Sequence, residues 1–263
     1  MAGNVISAGE DAEQAAKVFE DAWEAEGRGY AETLPLTDYM DIADSAKDYR
    51  GQRIRTVGQI SSLGKEHFNF SFYGREAGDA CLSISLRGCP QEMRAACKEG
   101  EYVILSGVVR KDINNCPRMD DCFVEYVGDE ARPLWEQTRA ARKARIKAER
   151  EAYFASCQEY AYDDLARYPD AYEGKNILLA GTILQIYVDR LDDHFLLDVG
   201  GGRIVYVSYY GKLPDDPEIL EGDQVTFYGK CGGRTSYDTL LGETKVVPWV
   251  IASYSSFNRF DDL

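Results

Sequence analysis

Two stretches of this chain are copies of one another, and that limits the fold more than any other feature of the sequence. Residues 39–60 (YMDIADSAKDYRGQRIRTVGQI) lie over residues 162–183 (YDDLARYPDAYEGKNILLAGTI) at a shift of 123. Eight of the 22 positions are identical, among them Tyr39/Tyr162, Tyr49/Tyr172, Gly51/Gly174 and Gly58/Gly181. Further on, Glu99-Gly100-Glu101 through Gly107 overlays Glu221-Gly222-Asp223 through Gly229 at a shift of 122. Between these blocks His67-Phe68 matches His194-Phe195, with four extra residues in the preceding loop of the second copy. Three blocks in one order at nearly one shift read as a tandem duplication. Whatever fold suits one copy must suit both.

Each copy predicts the same elements. A short helix carries Tyr39 and Ile42, or Tyr162 and Leu165, three residues apart on one face, and ends at a turn holding Gly51 or Gly174. In the second copy Pro169 closes that helix, because the residue before a proline avoids helical dihedrals. A long strand follows over 53–62 or 175–187, and its Gly58 or Gly181 marks a place where a strand can bend around a small barrel. A hairpin is expected at 67–73 and 80–87, or at 194–199 and 203–210. Then come a short helix (90–98 or 215–220), a fourth strand (101–110 or 223–231) and a fifth (121–127 or about 245–253). Alternation supports the strands: Phe68, Phe70 and Phe72 share one face, and Leu82, Ile84 and Leu86 oppose Cys81, Ser83 and Ser85. Five strands with a helix between the third and fourth describe an OB-fold barrel.

The expected fold is therefore mainly β, with two tandem five-stranded OB-fold barrels, an N-terminal helix and a long connecting helix. Residues 1–34 form the N-terminal helical segment, with Ala15, Val18, Phe19, Ala22 and Trp23 at helical spacing over 8–27. Residues 35–130 form the first barrel, 131–160 the connecting helix and 161–263 the second barrel. Ser255–Leu263 reads as a loose tail.

Charge separates these parts. The 263 residues carry a net charge of −15, made of −8 over residues 1–50, −2 over 51–130, +5 over 131–150 and −10 over 151–263. Such an acidic chain is not a generic nucleic-acid binder, since phosphate affinity rests on clustered Lys and Arg. The exception is the connector, with Arg139, Arg142, Lys143, Arg145, Lys147 and Arg150, whose expected counter-charge is the acidic N-terminal helix. No apolar run reaches the roughly 18–20 residues of a transmembrane helix. The start, MAGNVISAGED, has neither the basic nor the apolar region of a signal peptide.

Seven cysteines, none in a C-x-x-C pair, accompany two histidines, so no zinc site is expected. Cys116 and Cys122 flank a turn containing Pro117 and could close a small loop; free, partly buried thiols are the other reading. Cys89 and Cys97 bracket a short helix of about 12 Å rise, too far apart for a bond unless that helix is broken. Cys231 shares the inward parity of Val225 and Phe227.

The second copy resembles a known family. Tyr162-x-x-Leu165, Pro169-Asp170-x-Tyr172-x-Gly174-Lys175, Gly181, Glu221-Gly222-Asp223, Gly229 and Tyr237-x-x-Leu240-x-Gly242 with Pro248 are similar to the bacterial tRNA_anti-like OB-fold family. The resemblance spans roughly residues 160–253, and reaches 38–128 through the repeat. It implies tandem barrels in secreted or lipid-anchored bacterial proteins, and hence an extracytoplasmic location. It supplies no catalytic residues and no cofactor.

No G-x-S-x-G, H-E-x-x-H or P-loop is present, and Gly200–Gly202 is not followed by a helix that could receive a phosphate. The expectation is a non-catalytic binding or scaffolding module for a protein, peptide or glycan, with single-stranded nucleic acid as the alternative. OB barrels bind through strands two and three and the loops after strands one and four. In the second copy that surface gathers Tyr206 and Tyr210 from a strand face. Tyr187, Asp189, Arg190 and His194 come from one loop region, and Arg234 and Tyr237 from the other. Tyrosines with an arginine can stack on bases, sugars or a partner protein. The first copy offers Ser83, Ser85 and Arg87 at comparable places and few aromatics, so binding is expected at the second.

Overall fold

The computed structural model describes residues 34–258, apart from 75–77, 88, 90, 114–115, 189–192, 213–215 and 240–241. The helix expected over 8–27 lies outside them. The chain divides into two compact units between Ala144 and Arg145.

In the first unit, β1 (Leu36–Asp38), α1 (Tyr39–Asp44) and α2 (Ala46–Tyr49) lead into β2 (Arg53–Leu63), β3 (His67–Gly74) and β4 (Gly78–Ser85). They are followed by α3 (Gln91–Ala96), β5 (Tyr102–Ile113) and β6 (Cys116–Val127). The strands form a circuit: β2–β3, β3–β4, β6–β5 and β5–β2 are antiparallel, and β4–β6 is parallel. The parallel stretch β1 adds beside β2 was not expected from the sequence. Asp38 caps α1, its carboxylate accepting the Met40 N–H at 2.9 Å.

In the second unit, α5 (Tyr162–Arg167) and α6 (Pro169–Tyr172) precede β7 (Asn176–Val188), β8 (Asp193–Asp198), β9 (Ile204–Tyr209), β10 (Gln224–Asp238) and β11 (Thr244–Ser255). These five close into a barrel in the same circuit, with β9–β11 the parallel pair. Pro169 does two things. Tyr168 before it leaves the helical region, ending α5, and the proline opens α6 at its first position, where its missing N–H costs nothing.

The duplication is visible bond by bond. The Ile60 N–H donates to Glu101 O and the Ile183 N–H to Asp223 O, both at 2.9 Å. Gly100 and Gly222 return bonds to Ile60 O and Ile183 O. Gly51 and Gly174, at φ of +80° and +78°, donate to Val109 O and Cys231 O, each at 2.8 Å. A left-handed residue is needed to aim that N–H, hence glycine in both copies.

Each barrel fills from its inward-facing positions. Phe68, Phe70, Leu82, Ile84, Leu105 and Met119 are fully buried in the first, under Tyr39 and Ile42 of α1. Phe195, Leu197, Val205, Val207, Val225 and Phe227 are their counterparts in the second, under Leu165 of α5. Gly58 and Gly181 serve close packing: a Cβ on Gly58 would sit 2.6 Å from the Phe70 ring, and one on Gly181 2.5 Å from the Asp198 carbonyl oxygen.

Several expectations need correction. Residues 216–220 form no helix. The β10–β11 hairpin runs to Asp238, well past residue 231, and β6 starts at Cys116. Ser255–Asn258 is not a loose end: Ser255 closes β11, and Asn258 Nδ2 donates to Tyr209 OH, Gly211 O and Asp216 Oδ2 within 2.8 Å. Cys116 bonds to Cys81 and not to Cys122, because Cys122 points into the core while Cys81 and Cys116 meet on the outer face between β4 and β6. The thiols of Cys89, Cys97, Cys122 and Cys231 are buried and unbridged.

The boundary between the units falls inside α4 (Arg132–Ser156). Before it, Trp135 packs on Tyr102 at 5.3 Å, and Arg142 pairs with Asp41 and Asp44 of α1. After it, Phe154 stacks on Tyr228 at 4.3 Å and meets Tyr254 edge-on. Part of the connector's positive charge is met within the helix, by Arg132–Glu136, Arg145–Glu149 and Lys147–Glu151, and part by α1.

Candidate aromatic binding face

The outer face of β7, β8, β9 and β11 in the second barrel gathers four rings, Tyr187, His194, Tyr206 and Trp249. Cross-strand register sets it. Tyr187 of β7 lies opposite His194 of β8, His194 opposite Ser208 of β9, and Tyr206 of β9 between Leu196 and Trp249. Directly opposed residues share a face, so these side chains all point away from the core. The His194 and Tyr206 rings lie 5.6 Å apart. Trp249 Nε1–H donates to Ser208 Oγ at 2.9 Å, and His194 Nδ1 is 3.1 Å from the same oxygen. Ser208 is only 2% exposed, so it ties the imidazole to the indole and does not present a nucleophile to solvent.

Tyr187, His194, Tyr206 and Trp249 are each half-buried, and they bury Leu196 outside the barrel core. Desolvation raises the phenol pKa values of Tyr206 and Tyr187. Tyr206 also feels Tyr187 and Tyr210, and Tyr187 feels Tyr237 and Asp238. The patch is a ring-rich surface that carries phenol hydroxyls, an indole and an imidazole. Acids stand near it, Asp193 and Asp238, together with Lys212, which is paired to Asp193 and Glu218.

The expected site residues divide accordingly. Tyr187, His194 and Tyr206 come together. Tyr210 follows β9, 56% exposed, and Tyr237 is near Tyr187 on β10. Arg234 and Tyr237 belong to a strand and not a loop; three apart in a strand, they take opposite faces, and Arg234 is exposed beside Pro248. Asp189 and Arg190 lie outside the described residues. Trp249, Ser208 and Leu196 were missed. Trp249 reaches the patch through the parallel β9–β11 pairing, a long-range contact that alternation along one strand does not reveal.

The first barrel uses the same register differently. His67 opposes Ser85 as His194 opposes Ser208, but Ser83 and Arg118 stand where Tyr206 and Trp249 do. A cleft of about 490 Å³ results, lined by Glu66, His67, Asn69, Ser83, Ser85, Arg87, Arg118 and the Cys81–Cys116 bridge. Among the described residues no group of His, Cys, Asp or Glu is placed to hold a metal, and no helix is long and apolar enough to cross a membrane.

No protein-family model matches the sequence, and no curated protein matches it. Among solved structures, the telomere-capping protein Ten1 of Saccharomyces pombe is 12% identical at a TM-score of 0.29, over 43% of this chain and 99% of its own. The S. pombe Stn1–Ten1 complex gives 12% and 0.29, over 42% and 93%. The Ifi202 HINa domain in complex with 20-bp dsDNA gives 9% and 0.24, over 78% and 94%. These are weakly matched OB-fold proteins.

Proposed function

We propose that both units are OB-fold barrels and that the chain is a non-catalytic binding module whose main ligand face is the outer aromatic patch of the second barrel. The identical strand circuit in the two units, with its one parallel pair, supports the fold reading. The observation that carries the binding reading is the placement of Tyr187, His194, Tyr206 and Trp249 on the solvent side of a closed barrel. Rings half-buried against each other outside a core offer stacking area at little further entropic cost. Acids near the patch favour a neutral or cationic ligand, that is, a glycan, a peptide or a protein segment. A bacterial extracytoplasmic setting fits the Cys81–Cys116 bridge, since such bonds persist in oxidising compartments.

The second reading is single-stranded nucleic acid. The same rings would stack bases, with Tyr237 on the neighbouring strand near Tyr187. The solved neighbours include a DNA-bound domain, which belongs to this reading.

Trp249 emission, read in the full-length chain carrying Trp23→Phe and Trp135→Phe, reports on the patch directly. That chain is titrated with a cello-oligosaccharide, an extended cationic peptide and oligo(dT). The expected result is a response to one of the first two that is lost in Tyr206→Ala and in Tyr187→Ala. Oligo(dT) binding that weakens steeply with added salt would replace the main reading by the second. Silence with all three probes would remove the patch as a ligand face.

A further inference from the structure

We propose that the first barrel holds a separate site for a small hydroxylated oxyanion, such as a sugar bearing a carboxylate or a phosphate, in the cleft between β3, β4 and β6. The argument starts from the register. At the positions where the second barrel places Tyr206 and Trp249, the first places Ser83 and Arg118, again as directly paired residues. Exchanging two large rings for a hydroxymethyl group and a guanidinium opens the 490 Å³ cleft, a size suited to a small molecule and not to a polymer.

Its lining is rich in donors. Arg87 and Arg118 supply two guanidinium groups, His67 an imidazole, Asn69 an amide, and Ser83 and Ser85 hydroxyls. Glu66 is the one carboxylate in the wall, and it is held by Arg87 at 3.0 Å in a largely exposed pair. An exposed pair of this kind is weak, so an incoming oxyanion can take over the Arg87 guanidinium at small cost. Arg118 is oriented from behind by Asp120 at 2.7 Å, which fixes one edge of its fork. The hydroxyls and the amide then pair with a polyol, while the wall holds no Tyr, Trp or Phe to stack on a base or an aromatic ligand.

The Cys81–Cys116 bridge is part of the wall. It joins the β3–β4 hairpin to the start of β6, next to the two register pairs, Ser83–Arg118 and Ile84–Met119, that link β4 to β6. The site is thus held open at a fixed width by a covalent tie.

Calorimetry on the intact chain tests this with glucuronate and glucose 6-phosphate as the two oxyanion sources, and glucose and inorganic phosphate as controls. The expected result is that at least one sugar acid binds in the millimolar range or tighter, and better than both controls. Arg87→Ala and Ser83→Tyr should each weaken it by about tenfold or more, the second by refilling the cleft as in the second barrel. Tyr206→Ala should leave it unchanged, which separates this site from the aromatic patch. Absence of binding by both sugar acids, equal binding of glucose, or insensitivity to both cleft variants would overturn the proposal. Preferential binding of bare phosphate would mean an adventitious ion only.

Discussion

The two copies make single residues directly comparable. Gly174 turns at φ +78° with open space around its missing side chain, whereas Gly181 lies where a Cβ would press 2.5 Å from a backbone oxygen. Gly174→Ala should therefore cost about 1–2 kcal/mol, the strain of a left-handed residue. Gly181→Ala adds overpacking against backbone that cannot step aside and should cost about 3 kcal/mol. Urea unfolding of the two variants checks the order, and a Gly174→Ala loss as large as that of Gly181→Ala would contradict it. Tyr209 allows a second test. Its hydroxyl accepts from Ser255 Oγ and Asn258 Nδ2, and burial pushes the phenol up to about 12. Tyr209→Phe leaves Asn258 its bonds to Gly211 and Asp216, so the expected cost is only about 1 kcal/mol, read from the thermal midpoint.

Strands were legible because their signal is local. Phe68, Phe70, Leu82 and Ile84 alternate as a two-residue period requires, and Phe195, Leu197, Val205 and Val207 repeat the pattern in the second copy. The 215–220 helix was inferred by analogy with 90–98, and analogy failed where the second copy shortened that connection. The disulfide was misread for a different reason. Cys116 and Cys122 are near in sequence, but six residues apart in one strand they are held far from each other, while the parallel β4–β6 pairing brings Cys81 to Cys116. Trp249 was missed through the same kind of pairing in the second barrel. Both errors therefore sit at the junction of the third and fifth strands, the contact that local periodicity cannot see. The bridge should matter to stability because two register pairs are the remaining link there. Closing a loop of sequence separation 35 corresponds to about 4 kcal/mol in the chain-entropy estimate. Cys81→Ser with Cys116→Ser should lower first-unit stability by up to that amount, seen as faster hydrogen exchange in β4 and β6, with β8 and β9 unchanged.

Across the whole molecule, the two units differ in the chemistry of what they bury. The sequence showed the −15 charge and its distribution, but not that the acidic second barrel keeps a ring-rich face while the nearly neutral first barrel lines its cleft with arginines. Side-chain direction across paired strands decides that, and composition carries no record of it. Buried thiols follow the same asymmetry. The first unit encloses Cys89, Cys97 and Cys122, and the second encloses Cys231. Burial raises Cys89, Cys97 and Cys231 to about 11, and lifts Cys122 further. A thiol with a raised folded pKa stays protonated in the native chain while the unfolded chain ionises from about pH 9. Its contribution to stability is complete below that pH and falls as pH rises toward 11. Cys157 of the second unit is raised by desolvation as well; with three such groups against two, the first unit should lose more stability than the second between pH 8 and about pH 10.5. Single-tryptophan variants retaining Trp135 or Trp249 report the two units separately, in a background lacking the Cys81–Cys116 pair so that thiolates cannot exchange with it. Urea midpoints should fall further at Trp135 than at Trp249. Equal falls at both would mean that buried tyrosines present in each unit, Tyr39 in the first and Tyr209 in the second, govern the alkaline limit and not the thiols.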